Sequence, residues 1–120
     1  MPKILIVEDE KPLAEAYRII LERHKYDVSV AYDGEEALTL IEQYEPDLIL
    51  LDMKLPKMSG LDFLRNLDAH TTPSKVIVFS NQDSQSDIDE AFKLGAKRYL
   101  LKSWAAPHDL VRIIEEALES

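Results

Sequence analysis

Four places in this 120-residue chain carry side chains that could do chemistry together: Glu8-Asp9, Asp52, Ser80 and Lys102. Each follows directly on a short apolar run, at residues 4–7, 48–51, 76–79 and 99–101. Three carboxylates brought together repel one another unless a hard cation sits among them, and Mg²⁺ favours carboxylate and carbonyl oxygens while keeping some of its waters. Acids that hold such an ion can receive an anionic phosphoryl group. A serine hydroxyl can hydrogen-bond a phosphoryl oxygen, and a lysine offers a compact positive charge. Asp52 is then the group left to act as nucleophile, since carboxylates form acyl phosphates. Such a site works by positioning and charge neutralisation. Each residue alone has a plainer reading. Asp52 and Ser80 can be turn residues, Glu8 a solvated acid beside Asp9, and Lys102 a surface lysine. The choice depends on whether the elements deliver all of them to one edge.

The run Leu48-Ile-Leu-Leu51 is unbroken and apolar, as in a strand buried on both faces of a parallel sheet. Pro56 and Gly60 follow it before helical spacing resumes at Leu61. Strand-like runs also cover residues 3–7, 28–31, 75–79 and 99–101. Between them, apolar residues recur at helical spacing. Leu13, Ala16, Tyr17, Ile20 and Leu21 mark a first helix begun by Pro12. Ala37, Leu38, Ile41 and Tyr44 mark a second, opened by Asp33-Gly-Glu-Glu36 at capping-box spacing and closed before Pro46. Ser59 and Asp62 cap a third that buries Leu61, Leu64 and Leu67. Ile88, Ala91 and Phe92 mark a fourth that Gly95 stops. Pro107 starts the last, with Leu110, Ile113, Ile114, Ala117 and Leu118 inward. Five strand–helix alternations predict one α/β domain over residues 1–120, a (βα)5 doubly wound parallel sheet with right-handed crossovers. Ligands of such sheets bind beyond the carboxyl ends of the strands, which is where the four places lie.

Composition narrows the function. With 23 acidic against 14 basic residues the net charge is −9. That argues against direct nucleic-acid binding, which rests on basic residues meeting phosphates, and against an anionic membrane surface. No apolar run approaches the roughly 20 residues of a membrane span. The absence of cysteine excludes disulfides and thiolate metal sites and suits a cytoplasmic setting. His24, His70 and His108 lack metal-ligand spacing and read as surface or helix-end residues.

The set, in order and spacing, resembles the receiver domain of two-component response regulators. The matching segments are Ile4-Leu-Ile-Val-Glu8-Asp9-Glu, Asp47-Leu-Ile-Leu-Leu-Asp52-Met-Lys-Leu-Pro56 with Gly60, Val76-Ile-Val-Phe-Ser80, and Gly95-Ala-Lys-Arg-Tyr99-Leu-Leu-Lys102. The resemblance covers the whole chain. It implies a flavodoxin-like fold with strand order 2-1-3-4-5. It also implies that Asp52 accepts phosphate from a phosphohistidine on a sensor histidine kinase or phosphotransfer protein. By the same resemblance Asp9, Asp52 and the backbone carbonyl of Lys54 bind Mg²⁺ directly and Glu8 binds it through water. Lys102 pairs with the phosphoryl oxygens, Ser80 moves towards them, and Tyr99 turns inward behind it. The face of helix four, strand five and helix five then changes for an effector or a second copy. Such a domain is not a conventional enzyme, although it catalyses its own phosphorylation and dephosphorylation.

Departures from the family pattern matter. Ser103 replaces the usual Pro after the lysine, where the bond is often cis; before a non-proline residue a cis bond costs about 3 kcal/mol. Trp104, next along, is expected to pack locally, the alternative being a partner anchor on the output face. Asn81 stands where a small residue is usual and narrows access to the site. Lys54 and Gln82 occupy positions that tune dephosphorylation. Ala106 is a poor helix cap. A flavodoxin-like electron carrier would need a hydroxyl- or glycine-rich phosphate loop where Glu8-Asp9-Glu10 stands. A haloacid-dehalogenase-like phosphatase would need a second acid two residues after Asp9, where Lys11 stands, and there is no P-loop. The remaining rival is a receiver-fold interaction module that no longer cycles phosphate. The chain ends with the fifth helix at Ser120, either as a complete single-domain regulator or as part of a longer one.

Overall fold

β1 (Lys3–Val7) lies between β2 (Asp27–Ala31) and β3 (Leu48–Leu51) in the computed structural model of the chain, which describes residues 1–69 and 71–119. β4 (Lys75–Ser80) pairs with β3, and β5 (Arg98–Leu101) takes the far edge. All pairs are parallel and the order is β2-β1-β3-β4-β5, the expected doubly wound α/β sheet. The connections are α1 (Lys11–Arg23), α2 (Gly34–Tyr44), α3 (Gly60–Leu67) and α4 (Gln85–Lys93), with α5 (Pro107–Glu119) after β5.

The two-residue period of a strand divides the core into two layers. Leu5, Val7, Ile49, Leu51, Val76 and Val78 face one side, where Ala37, Phe63, Leu64 and Ala91 of α2, α3 and α4 cover them. Ile4, Ile6, Leu48, Leu50, Ile77 and Phe79 face the other, under Ala14 and Leu21 of α1 and Leu110 and Ile114 of α5. β3 is therefore buried on both faces, which is why its sequence does not alternate.

Local chemistry sets the helix starts. Asp33 Oδ1 accepts from Glu36 N–H at 2.8 Å, and Ser59 Oγ accepts from Asp62 N–H at 3.1 Å, both as anticipated. Ala106 offers no side-chain cap, but Asp109, three residues on, accepts from the Ala106 N–H at 2.9 Å and supplies the return half of a capping box. Gly95 has φ 109°, a conformation closed to most side chains. Gly60 is required by close approach: a Cβ there would lie 2.6 Å from the Met53 Cα.

The burial stripes differ from expectation in four places. On α1, Ala14 is buried and Ala16 exposed, because Ala14, Tyr17 and Leu21 share a face and Ala16 lies roughly 200° round the helix from Ala14. On α3, Phe63 joins Leu64 as the deeply buried pair, with Leu61 and Leu67 half-buried. On α4, Ala91 is buried but Phe92 is 44% exposed. β5 is half-buried or exposed throughout, as suits an edge strand. His24 caps the end of α1 and His108 is exposed on α5, while His70 and Ser120 fall outside the described residues.

Candidate functional site

The strand register brings the chemistry together. Val7 stands opposite Leu51, so Glu8 and Asp52 emerge side by side; Ser80 stands opposite Leu101, so Lys102 emerges beside Ser80. The backbone ladder continues one residue past the strands. Glu8 N–H donates to Ala31 O, Asp52 N–H to Val7 O and Lys102 N–H to Ser80 O, each at 3.0 Å. These bonds fix the backbone beneath the side chains. Glu8, Asp52 and Ser80 are all buried; Asp9, one residue on, is exposed.

Lys102 Nζ sits 2.6 Å from Glu8 Oε1 and 3.1 Å from Asp52 Oδ2. The other oxygens are also occupied: Glu8 Oε2 accepts from Glu10 N–H at 3.2 Å and Asp52 Oδ1 from Lys54 N–H at 3.3 Å. Burial pushes the Glu8 carboxyl up to about 7; the hydrogen bond from Lys102 opposes this and the charge of Asp52 adds to it. Burial pulls Lys102 down, but the Glu8 hydrogen bond and the Asp52 charge outweigh it, so its net shift is upward. Every peptide bond among the described residues is trans, Lys102–Ser103 included, and the lysine still reaches both acids.

Carboxylate oxygens of Glu8, Asp9 and Asp52 all lie within 4.8 Å of one another. One lysine against three acids leaves an excess of negative charge, and every donor is a hard oxygen. This set suits a small divalent cation. A cavity of about 590 Å³ opens over it, lined by Asp9, Asp52, Ser80 and Lys102, with Lys54, Asn81 and Gln82 at its rim.

Ser80 Oγ accepts from Gln82 N–H at 3.2 Å. Tyr99 is half-buried and packs against the core, and its hydroxyl donates to the Gln82 carbonyl at 2.6 Å. Burial and the charge of Asp87 push the phenol up to about 12, so it keeps its proton and remains a donor. Trp104 overturns the expectation of local packing, being 82% exposed. Its backbone N–H turns back onto Leu101 O at 3.0 Å, placing Trp104 in a surface turn after β5. Trp104, Phe92, Tyr99 and Ile113 line a groove of about 660 Å³ along α4, β5 and α5.

Two residues near the site escaped the sequence reading. Tyr17 packs at 5.4 Å against Phe79, close enough to the Glu8–Lys102–Asp52 group that their charges act on its phenol after burial has raised it. Its signal was a tyrosine on a helix face otherwise aliphatic. Asp87, bonded to Gln82, left no sequence signal because the link crosses a loop.

The family model described as the response regulator receiver domain matches residues 4–115. The chain belongs to this receiver domain family. It is similar to a CheY-like receiver domain protein from Methanospirillum hungatei at 31% identity and TM-score 0.93, covering 99% of this chain and 94% of that one. It is also similar to the signal receiver domain of a putative Luxo repressor protein from Vibrio parahaemolyticus, at 31% identity and TM-score 0.90, covering 98% and 90%. A third likeness is the BeF3-activated N-terminal receiver domain of Klebsiella pneumoniae RstA, at 28% identity and TM-score 0.89, covering 98% and 99%. Membership assigns this receiver to phosphorylation-dependent signalling in general. Receiver domains bind Mg²⁺ through an acidic pocket, and here Glu8, Asp9 and Asp52 form an acidic cluster. Among the described residues, no helix is long and apolar enough to cross a membrane.

Proposed function

We propose that this receiver, one domain over residues 1–120, is a cytoplasmic switch phosphorylated on Asp52 by a histidine kinase or phosphotransfer protein. The observation that carries this is Asp52 at the floor of an open cavity, held by Lys102 and flanked by Glu8 and Asp9. In the transfer, an Asp52 carboxylate oxygen forms a bond to phosphorus as the phosphorus–nitrogen bond of a phosphohistidine breaks and the leaving imidazole takes a proton. Asp9, Asp52 and the Lys54 carbonyl would hold Mg²⁺ directly, with Glu8 behind a water. When bound, Mg²⁺ supplies positive charge that offsets the oxygens of the incoming group. Lys102, already between the acids, keeps its charge and turns from Asp52 to a phosphoryl oxygen. Ser80 donates its hydroxyl to another. Asn81, Gln82 and Lys54, at the rim, set how the donor and attacking water enter.

The output surface is the groove of α4, β5 and α5. Tyr99 lies between it and the Ser80 loop, and a change in its placement there is what a partner, or a second copy of the chain, would sense. Trp104 is the anchor this surface offers, since a large exposed aromatic is the usual hot-spot residue. The non-cycling rival finds support in Asn81 but not in Ser103, because Lys102 reaches Asp52 all the same.

Incubation with Mg²⁺ and a small acyl phosphate, followed by intact mass, tests the proposal. A phosphate-sized gain is expected, absent when Mg²⁺ is chelated and absent in Asp52→Asn. No gain at saturating donor would leave the interaction-module reading standing.

A further inference from the structure

The loop between β3 and α3 contains a turn of three residues. Met58 N–H donates to Pro56 O at 2.8 Å, and Lys57 between them has φ 69°. A bond across so short a span at positive φ makes a rare, strained turn, and a lysine keeps it only where its surroundings compel it. Those surroundings are the start of α2. Gly34, the first residue of that helix, is buried, and a Cβ there would lie 2.6 Å from Met58 Cγ and 2.7 Å from its Sδ. The three nearest atoms such a Cβ would meet all belong to Met58. Gly34 thus leaves a seat that the Met58 side chain fills. Beside it, Lys57 Nζ lies 3.6 Å from Asp33 Oδ2, while Asp33 Oδ1 caps α2. Lys57 is exposed, and such a surface pair contributes little. The packing of Met58 is the stronger hold.

We propose that Met58, seated on Gly34, fixes the tip of this loop and so sets where the Lys54 carbonyl stands beside the acidic cluster, making Met58 a positioning residue for the divalent cation. This inference rests on the Mg²⁺ reading of the site. The carboxylates of Asp9 and Asp52 can adjust by rotating their side chains. A backbone carbonyl goes where its loop goes. Lys54 lies between two fixed points, the bond from Gly60 N–H to Met53 O at 2.8 Å and the seat of Met58. Loss of the seat leaves it tethered on one side. Mg²⁺ demands near-octahedral ligands at a narrow distance, whereas Ca²⁺ accepts longer and more varied ones. The seat therefore matters more to Mg²⁺ than to Ca²⁺.

The test titrates the protein with magnesium chloride and, separately, with calcium chloride, followed by amide NMR shifts. Met58→Ala should weaken Mg²⁺ binding about 10-fold, the lower end of the range for groups that orient metal ligands, and Ca²⁺ binding less than about twofold. Met58→Leu keeps the volume and should bind Mg²⁺ nearly as wild type does. Gly34→Ala fills the seat from the other side and should weaken Mg²⁺ binding as Met58→Ala does. Added to Met58→Ala it should cost nothing further, because the side chain it would strike is gone. A merely structural role would lower Tm and weaken both ions alike. A second arm needs no metal: amide hydrogen exchange at Leu55, Lys57 and Met58 should quicken about 3- to 10-fold in Met58→Ala while β1 is unchanged. Unaltered Mg²⁺ affinity in Met58→Ala, equal loss of both ions, additive effects of the two substitutions, or unchanged loop exchange would each overturn the proposal. A wild-type protein that binds no Mg²⁺ would overturn the metal reading instead, and the exchange arm would then decide whether Met58 holds the loop.

Discussion

Lys102 carries a positive charge that touches both Glu8 and Asp52, and its hydrogen bond opposes the burial that raises the Glu8 carboxyl. Because the folded state holds that proton up to about pH 7 and the unfolded chain releases it near 4.5, the folded state binds more protons across this window. Stability of the metal-free protein is therefore fullest below about 4.5 and falls as pH rises towards 7. Chemical denaturation at pH 5 and pH 7 measures it. Glu8→Gln should lose the fall, and an unaltered slope in that variant would remove Glu8 as its source. The four chemical positions were legible because each ends an apolar run, and parallel strands deliver such ends to one edge. The engagement of Tyr99 with Gln82, the bond from Gln82 to Asp87 and the exposure of Trp104 were not. Each depends on the path of a loop, where periodicity is silent.

At the scale of elements, the loop between β3 and α3 must hold Asp52 still. Gly60 lets it do so: its N–H donates to Met53 O at 2.8 Å, and a side chain would meet the Met53 backbone. Gly60→Ala should therefore cost about 1–3 kcal/mol in thermal or denaturant unfolding, the range for forced overpacking. It should also slow phosphoryl uptake, because Met53 cannot shift without Asp52. Unchanged stability would show that the loop yields freely. The sequence marked Gly60 as a breaker but not as a point of close approach, which only the folded loop creates. The helix starts were more legible, since Asp33 and Ser59 cap over a span of three residues. Ala106 was legible as a weak cap, and its compensation by Asp109 is a local pattern that sequence can also carry.

The molecule as a whole keeps two surfaces apart. The carboxyl edge of the sheet holds the acids, and the face of α4, β5 and α5 holds the exposed Trp104 and Phe92. Trp104→Ala should leave unfolding stability within about 0.5 kcal/mol of wild type, as for a surface substitution. It should weaken binding of an output partner by about tenfold or more, as for loss of an aromatic anchor. Calorimetry against that partner checks the second part, and undiminished affinity would remove Trp104 from the surface. Sheet order was legible from five alternating elements, while the groove was not, because it arises between elements distant in sequence. The central claim is that the phosphoryl group lands on Asp52, and reductive trapping tests it most directly. Borohydride converts an aspartyl phosphate to homoserine, which peptide mass spectrometry then locates. Homoserine at position 52 is predicted, with none at position 9. Homoserine elsewhere, or none after full phosphoryl uptake, would contradict the account.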